Sequence, residues 1–289
     1  MLPCTVRRTI ALIGPGRVGQ TLARALRQRG YRITAVVGRS LRQVRRAVAF
    51  IGRGRAHGRL NGASMEAETV LLAVPDSQIR IVATRLAGLG DRRWRGKVVL
   101  HTSGSRSSRE LAALRRCGAA CGSFHPLFPF PEPLPEFPSR VFFGVEGDTR
   151  AVRRARAWAR ALHGIALPIP SSRKAFYHAA AALASGHALT LADLSARILI
   201  RLGVRESRAR QALLPLTRAT LRQYERMGAR AWTGPLARGD LETVRSHLKE
   251  LKRLPPYFAG VYAVLGTAGL TLYRKKAPQP TRRARNRKR

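Results

Sequence analysis

The chain has 289 residues, 45% of them hydrophobic, which is enough to bury a sizeable core over a length that suggests two domains and excludes a wholly disordered polymer. Lys and Arg number 55 against 15 Asp and Glu, a formal charge of +40, yet 48 of the bases are arginines spread through every segment. That excess reads first as a compositional bias and second as the footprint of an anionic partner. The three cysteines, Cys4, Cys117 and Cys121, show no metal-ligand spacing, and with no secretory leader they point to reduced thiols in a cytoplasmic protein.

In chain order, Thr9 to Ile13 is a continuous apolar run of β type, followed by a glycine turn and a stretch whose Val18, Leu22, Ala25 and Leu26 recur at helical spacing up to Gly30. The alternation continues with a strand at 33–37, a helix at 41–50, a strand at 69–74, a helix at 79–86, a strand at 97–101, a helix at 109–116 and a strand at 119–124. Six prolines between Pro126 and Pro138 forbid a helix or a central strand, so this segment is expected to be an ordered loop. A strand at 141–146, a helix at 149–163 and a short strand at 165–169 follow, and beyond Ser171 only helical runs remain, at 172–202, 206–227 and 240–253. The reading is an α/β protein: a Rossmann-type, doubly wound, mainly parallel sheet over residues 1–170, then an all-helical domain over 171–273. Leu254 to Tyr273 carries no charge between basic flanks, but Pro255-Pro256 and its glycines favour a buried terminal helix over a membrane span. The last 16 residues, 274–289, hold nine Lys and Arg and no acid, a composition for a disordered basic tail able to meet nucleic acid or an anionic surface.

Gly14-Pro15-Gly16-Arg17-Val18-Gly19 fits a dinucleotide turn because a strand precedes it and a helix follows. Gly14 then makes the tight turn, Gly16 admits a pyrophosphate, Gly19 lets helix and strand close up, and the helix N-terminus offers amides to phosphate. An NAD-selective site would place a carboxylate near the end of the second strand; this chain has Gly38-Arg39-Ser40. A guanidinium and a hydroxyl suit a 2′-phosphate, so NADP(H) is the expected cofactor, with Arg39 as simply one arginine among many the plainer alternative. Val74 and Pro75, at the end of the third strand, are expected beside it.

The segments LLAVPDSQI, VVLHTSG, GSFHPLFPF, FYHAAAALASGH, LLPLTRATL and TGPLARGD, in this order and spacing, resemble the Rossmann-like proteins with a C-terminal domain of unknown function, the DUF2520 family. The resemblance runs from about Thr9 to Tyr273 and departs from the family's usual residues at Gly186, where Asn is common, and at Trp232, where an aliphatic residue is usual. It implies a two-domain NADP-binding protein akin to the 6-phosphogluconate, ketopantoate and pyrroline-carboxylate reductase group, and a homodimer assembled through the helices after residue 200.

Read from the residues alone, Ser103 and His125 lie just past the carboxyl ends of successive strands, the edge where open parallel sheets bind ligands. With an ordinary pKa of about 6.5, His125 is the acid/base candidate, against a role in capping its loop. HPLF also looks like a segment of prephenate-type dehydrogenases in which a histidine meets the substrate. His178 is the next candidate, with Ser185 two helical turns on as its support, although helix histidines more often pack; His187 does not share its face. Thr233, Arg238 and Asp240 form a compact loop: Asp240 is placed to cap the next helix, and Arg238 to clamp a substrate carboxylate or a cofactor phosphate. The expected activity is an NADP(H)-dependent reductase or dehydrogenase for a small carbonyl, imine or hydroxy compound held between the domains. The alternative is a sensor or scaffold that binds NADP without turnover, since the first C-terminal helix lacks a Lys/Asn catalytic pair and Lys174 is its only lysine.

Overall fold

The computed structural model describes residues 8–273, so Cys4 and the expected contacts of the basic tail at 274–289 lie outside the described residues. Eight strands form one sheet in the order β3-β2-β1-β4-β5-β6-β7-β8. In chain order its elements are β1 (Thr9–Ile13), α1 (Arg17–Gln28), β2 (Arg32–Val37), α2 (Leu41–Ile51), β3 (Arg55–His57), β4 (Thr69–Leu72), α3 (Ile79–Ala87), β5 (Val98–His101), α4 (Ala112–Arg116), β6 (Ala120–Pro126), β7 (Phe142–Gly147), α5 (Thr149–Ala161), β8 (Ile165–Pro168) and α6 (Lys174–Ala182). β1, β4 and β5 are apolar almost throughout because helices cover both faces. One face packs under α1, α2 and α5 around Leu22, Leu26, Val44, Ile51 and Trp158, and the other under α3 and α4 around Ile79, Leu86, Leu111 and Leu114.

Every strand pair is parallel except β6–β7. A parallel return needs a crossover helix, and the proline-rich connection between these two strands contains none, so β7 comes back antiparallel. β3 was not expected from the sequence: RAH has no apolar run, and only the register Ala35↔Arg55 with β2 makes it a strand. The helix expected at 109–116 begins as a tight 3-10 turn, Ser108–Leu111, before α4.

Compact packing divides the chain between Ser185 and Gly186. α6, placed by composition in the helical domain that was expected to start near 170, stays with the sheet. The helical run expected over 172–202 is interrupted by a π turn at Leu183–His187 before α7 (Ala188–Arg201). The second unit continues with α8 (Glu206–Met227), α9 (Pro235–Arg238), α10 (Leu241–Leu251) and α11 (Pro256–Tyr273).

The expectation of a buried terminal helix is corrected by α11. Only Phe258 and Gly269 are buried, while Val264 is 68% and Leu272 72% exposed. Trp232 packs on Gly269 and Leu236 on Gly266, which gives the helix one partnered stripe. Among the described residues no helix is long and apolar enough to cross a membrane.

Candidate functional site

The carboxyl edge of the sheet, next to the reversal of strand order at β1 and β4, carries a cleft of about 530 Å³. Gly16, Arg17, Val18, Val74, Pro75, Ser103, His125 and His178 are among its lining residues. Gly14 sits at φ +84°, and a Cβ on it would fall 2.7 Å from the Ala73 carbonyl oxygen. A Cβ on Gly19 would stand 2.7 Å from the Gly14 carbonyl oxygen and 2.9 Å from Ala73 Cβ. A Cβ on Gly16 would meet nothing within 4 Å. Two glycines therefore let the helix press on the strands, and the third leaves an open approach. α1 has no side-chain cap and no acid in its first turn, so its leading amides face no competing carboxylate.

At the end of β2, Arg39 is exposed and makes no hydrogen bond or ion pair among the described residues. Ser40 is committed in part: its Oγ caps α2 by accepting from the Gln43 amide at 3.4 Å.

β6 delivers His125 to the cleft wall, where its Nδ1 lies 2.9 Å from the Tyr177 hydroxyl and its ring centroid 5.8 Å from that of His178. The ordinary pKa expected for His125 is overturned. Burial first, then Lys174 and His178, lower it to about 3 while Asp76 opposes the fall, so the imidazole is neutral at physiological pH. Ser103 is buried, and its Oγ accepts from the amides of Ser105 and Arg106 at 3.2 and 2.9 Å, which shapes the turn after β5 while leaving its own proton to donate.

Beneath this wall lies Lys174, 1% exposed, with Nζ donating to the Ser103 carbonyl at 2.9 Å and to Ser123 Oγ at 3.1 Å. Burial lowers its pKa to about 8, and Glu146 and Asp76 oppose the fall. Glu146, also buried, accepts from the Ser108 amide, Ser108 Oγ and Ser171 Oγ at 2.7, 3.0 and 2.6 Å. His101, at the end of β5, accepts from the Ser103 amide through Nδ1 at 3.2 Å, and its pKa is lowered to about 4 by burial and then by Lys174.

Ser185 falls inside the π turn, so the 3.6-residue phase that aligned it with His178 does not carry through, and no hydrogen bond of its side chain joins the two. In the second unit, Asp240 caps α10: its Oδ1 accepts from the Thr243 amide at 3.1 Å and its Oδ2 from the Thr243 hydroxyl at 2.7 Å. Arg238 is exposed, while Thr233 lines an apolar cavity of about 300 Å³ with Leu191, Leu236, Phe258 and Leu265. Trp232, one of the departures noted above, lines the same cavity, and Gly186 faces open space.

The sequence reading missed Tyr177, the buried part played by Lys174, and Gly104, where a Cβ would fall 2.4 Å from His178 Cδ2 and 2.7 Å from His125 Nε2. The signal was present in part. Residues 174, 177 and 178 follow i, i+3, i+4 spacing, which puts all three on one face of α6.

Fold and glycine turn together define a Rossmann-type architecture followed by a helical domain. Residues 4–126 match the Rossmann-like domain and residues 141–268 match the Domain of unknown function (DUF2520), so the chain joins these two domains. Protein TM1727 from Thermotoga maritima is 27% identical with a TM-score of 0.71, over 92% of this chain and 98% of that one. An imine reductase from Pseudomonas sp. is 17% identical with a TM-score of 0.65, over 91% and 94%. A pyrroline carboxylate reductase from Plasmodium falciparum, solved with NADP bound, is 11% identical with a TM-score of 0.59, over 90% and 97%. At these identities the two reductases share the fold. No curated protein matches the sequence.

Proposed function

We propose that this chain is an NADP(H)-dependent reductase or dehydrogenase acting on a small carbonyl, imine or hydroxy compound. The observation that carries the reading is that the open glycine turn and the His125–His178 pair line one cleft at the carboxyl edge of the sheet. The residues present suit the cofactor. Gly14, Gly16, Arg17, Val18 and Gly19 offer main-chain donors and room to a pyrophosphate, Val74 and Pro75 wall the cleft, and Arg39 with Ser40 suits a 2′-phosphate better than a free ribose hydroxyl. When bound, the nicotinamide supplies or takes a hydride. Around it, Ser103 and His125 would hold the reacting heteroatom by hydrogen bonds, with His178 on the same wall. Fold-sharing with an imine reductase and with an NADP-bound pyrroline carboxylate reductase supports the class. In the second unit Arg238 is exposed, a guanidinium suited by its chemistry to a carboxylate, whereas Asp240 is engaged by its cap.

The test is a fluorescence titration with NADPH and NADH, then NADPH consumption with keto acids, imines and aldehydes. Tighter NADPH binding with turnover of one class is expected; binding without consumption would establish the sensor alternative, and no binding would sink both. We also propose self-association of the second unit, since Leu202, Leu216 and Leu221 are 74%, 66% and 62% exposed alongside the bare face of α11. Light scattering showing a monomer at micromolar concentration would remove it.

A further inference from the structure

We propose that Tyr177 is a positioning residue that holds the His125 imidazole in a single tautomer, with Nδ1 the acceptor and Nε2–H the donor facing the cleft. Three elements build the contact. Tyr177 on α6 brings its hydroxyl to 2.9 Å from Nδ1, with the two rings perpendicular at a centroid distance of 5.6 Å. β7 places Gly144 directly opposite His125 in the antiparallel register. A Cβ on Gly144 would stand 2.7 Å from the Tyr177 hydroxyl oxygen, so the phenol reaches His125 only because that residue is glycine.

The direction of the hydrogen bond follows from the protons available. Burial pushes the Tyr177 phenol up to about 12, against an opposing effect of the Gly144 backbone. The phenol therefore keeps its proton and needs an acceptor, which Nδ1 provides. Burial disfavours the imidazole charge most, followed by Lys174 and His178; Asp76 favours it, and His101 disfavours it least of all. A neutral ring that accepts at Nδ1 carries its one proton on Nε2. Nε2 has no hydrogen-bond partner among the described residues and lies against Gly104, which also lines the cleft.

A fixed Nε2–H donor recognises a lone pair, as on a carbonyl oxygen or a neutral imine nitrogen, and has nothing to offer an iminium cation. This consequence rests on the reductase reading, whereas the tautomer itself does not. The experiment is a long-range proton–nitrogen correlation spectrum of the full chain labelled with 15N-histidine, recorded from pH 7.5 to pH 5 for wild type and Tyr177→Phe. His125→Gln assigns the signal. Wild type should show a pyridine-type Nδ1 and a pyrrole-type Nε2 across the range, and Tyr177→Phe should show mixed tautomers. A proton on Nδ1 in wild type, protonation of the ring within this range, or a wild-type pattern in folded Tyr177→Phe overturns the proposal. Should the variant not fold, the wild-type spectrum decides. Cofactor binding plays no part in the readout, so failure of the reductase reading would show separately.

Discussion

Lys174 Nζ donates to the carbonyl oxygen of Ser103, 71 residues away in sequence, at 2.9 Å, and so ties the first helix after the sheet to the turn that follows β5. Its pKa is lowered to about 8 from an ordinary 10.5, so between those values the unfolded chain holds a proton that the folded chain has lost. Stability should therefore rise with pH across this window, by about 1–3 kcal/mol from this group. Lys174→Met retains most of the apolar stem and removes the ammonium. Urea unfolding at pH 7.5, 8.5 and 9.5 should show a shallower rise than in wild type, and an equal rise in both proteins would refute the assignment.

The two buried imidazoles act at the other end of the pH range. His101 and His125 are lowered to about 4 and about 3, so as pH falls below about 6.5 the unfolded chain takes up protons that the folded chain refuses. Each should remove on the order of 1–2 kcal/mol of stability between pH 7 and pH 5. His101→Asn, compared with wild type by thermal melting at both pH values, should lose less over that interval.

Arg39 reaches solvent with no hydrogen-bond or ion-pair partner among the described residues at the end of β2, in a stretch that has no carboxylate. Arg39→Ala is expected to weaken NADPH binding tenfold or more, about 1.4 kcal/mol, and to leave NADH binding unchanged. Parallel fluorescence titrations read this directly. Equal losses for both nucleotides would place the guanidinium elsewhere.

Gly19→Ala introduces a Cβ at 2.7 Å from the Gly14 carbonyl oxygen, a main-chain atom that cannot swing aside. Overpacking of this kind costs about 1–3 kcal/mol. Because relief moves the glycine turn itself, NADPH affinity should fall along with the urea midpoint. Gly16→Ala, where a Cβ meets nothing, should leave stability nearly unchanged and weaken nucleotide binding alone.

If His125 presents Nε2–H, the substrate panel should show faster NADPH consumption with ketones and aldehydes than with preformed cyclic iminium ions. The reverse order at saturating cofactor would remove the lone-pair requirement.

Much of this was written locally. Each of β1, β2, β4 and β5 is a short apolar run, and the glycine turn was legible as a local motif, although Gly14 and Gly19 both press against Ala73, which lies far along the chain. Asp240 was legible as a cap because a cap acts across a single turn. By contrast, β3 is a strand through its neighbour's register, and α6 belongs with the sheet through Lys174, although composition put it with the helices. The ordinary pKa expected of His125 failed because burial and the Lys174 field come from residues that its own strand does not contain.

The sequence alone determined the alternation of strands and helices, the glycine turn with its open middle residue, and the missing carboxylate after β2, because propensity, periodicity and turn chemistry are short-range. Only the tertiary structure decided which histidine is silenced, which hydroxyl orients it and which lysine lies beneath it. Those properties depend on the low dielectric of the interior and on contacts across 52 and 71 residues, which chain order does not encode.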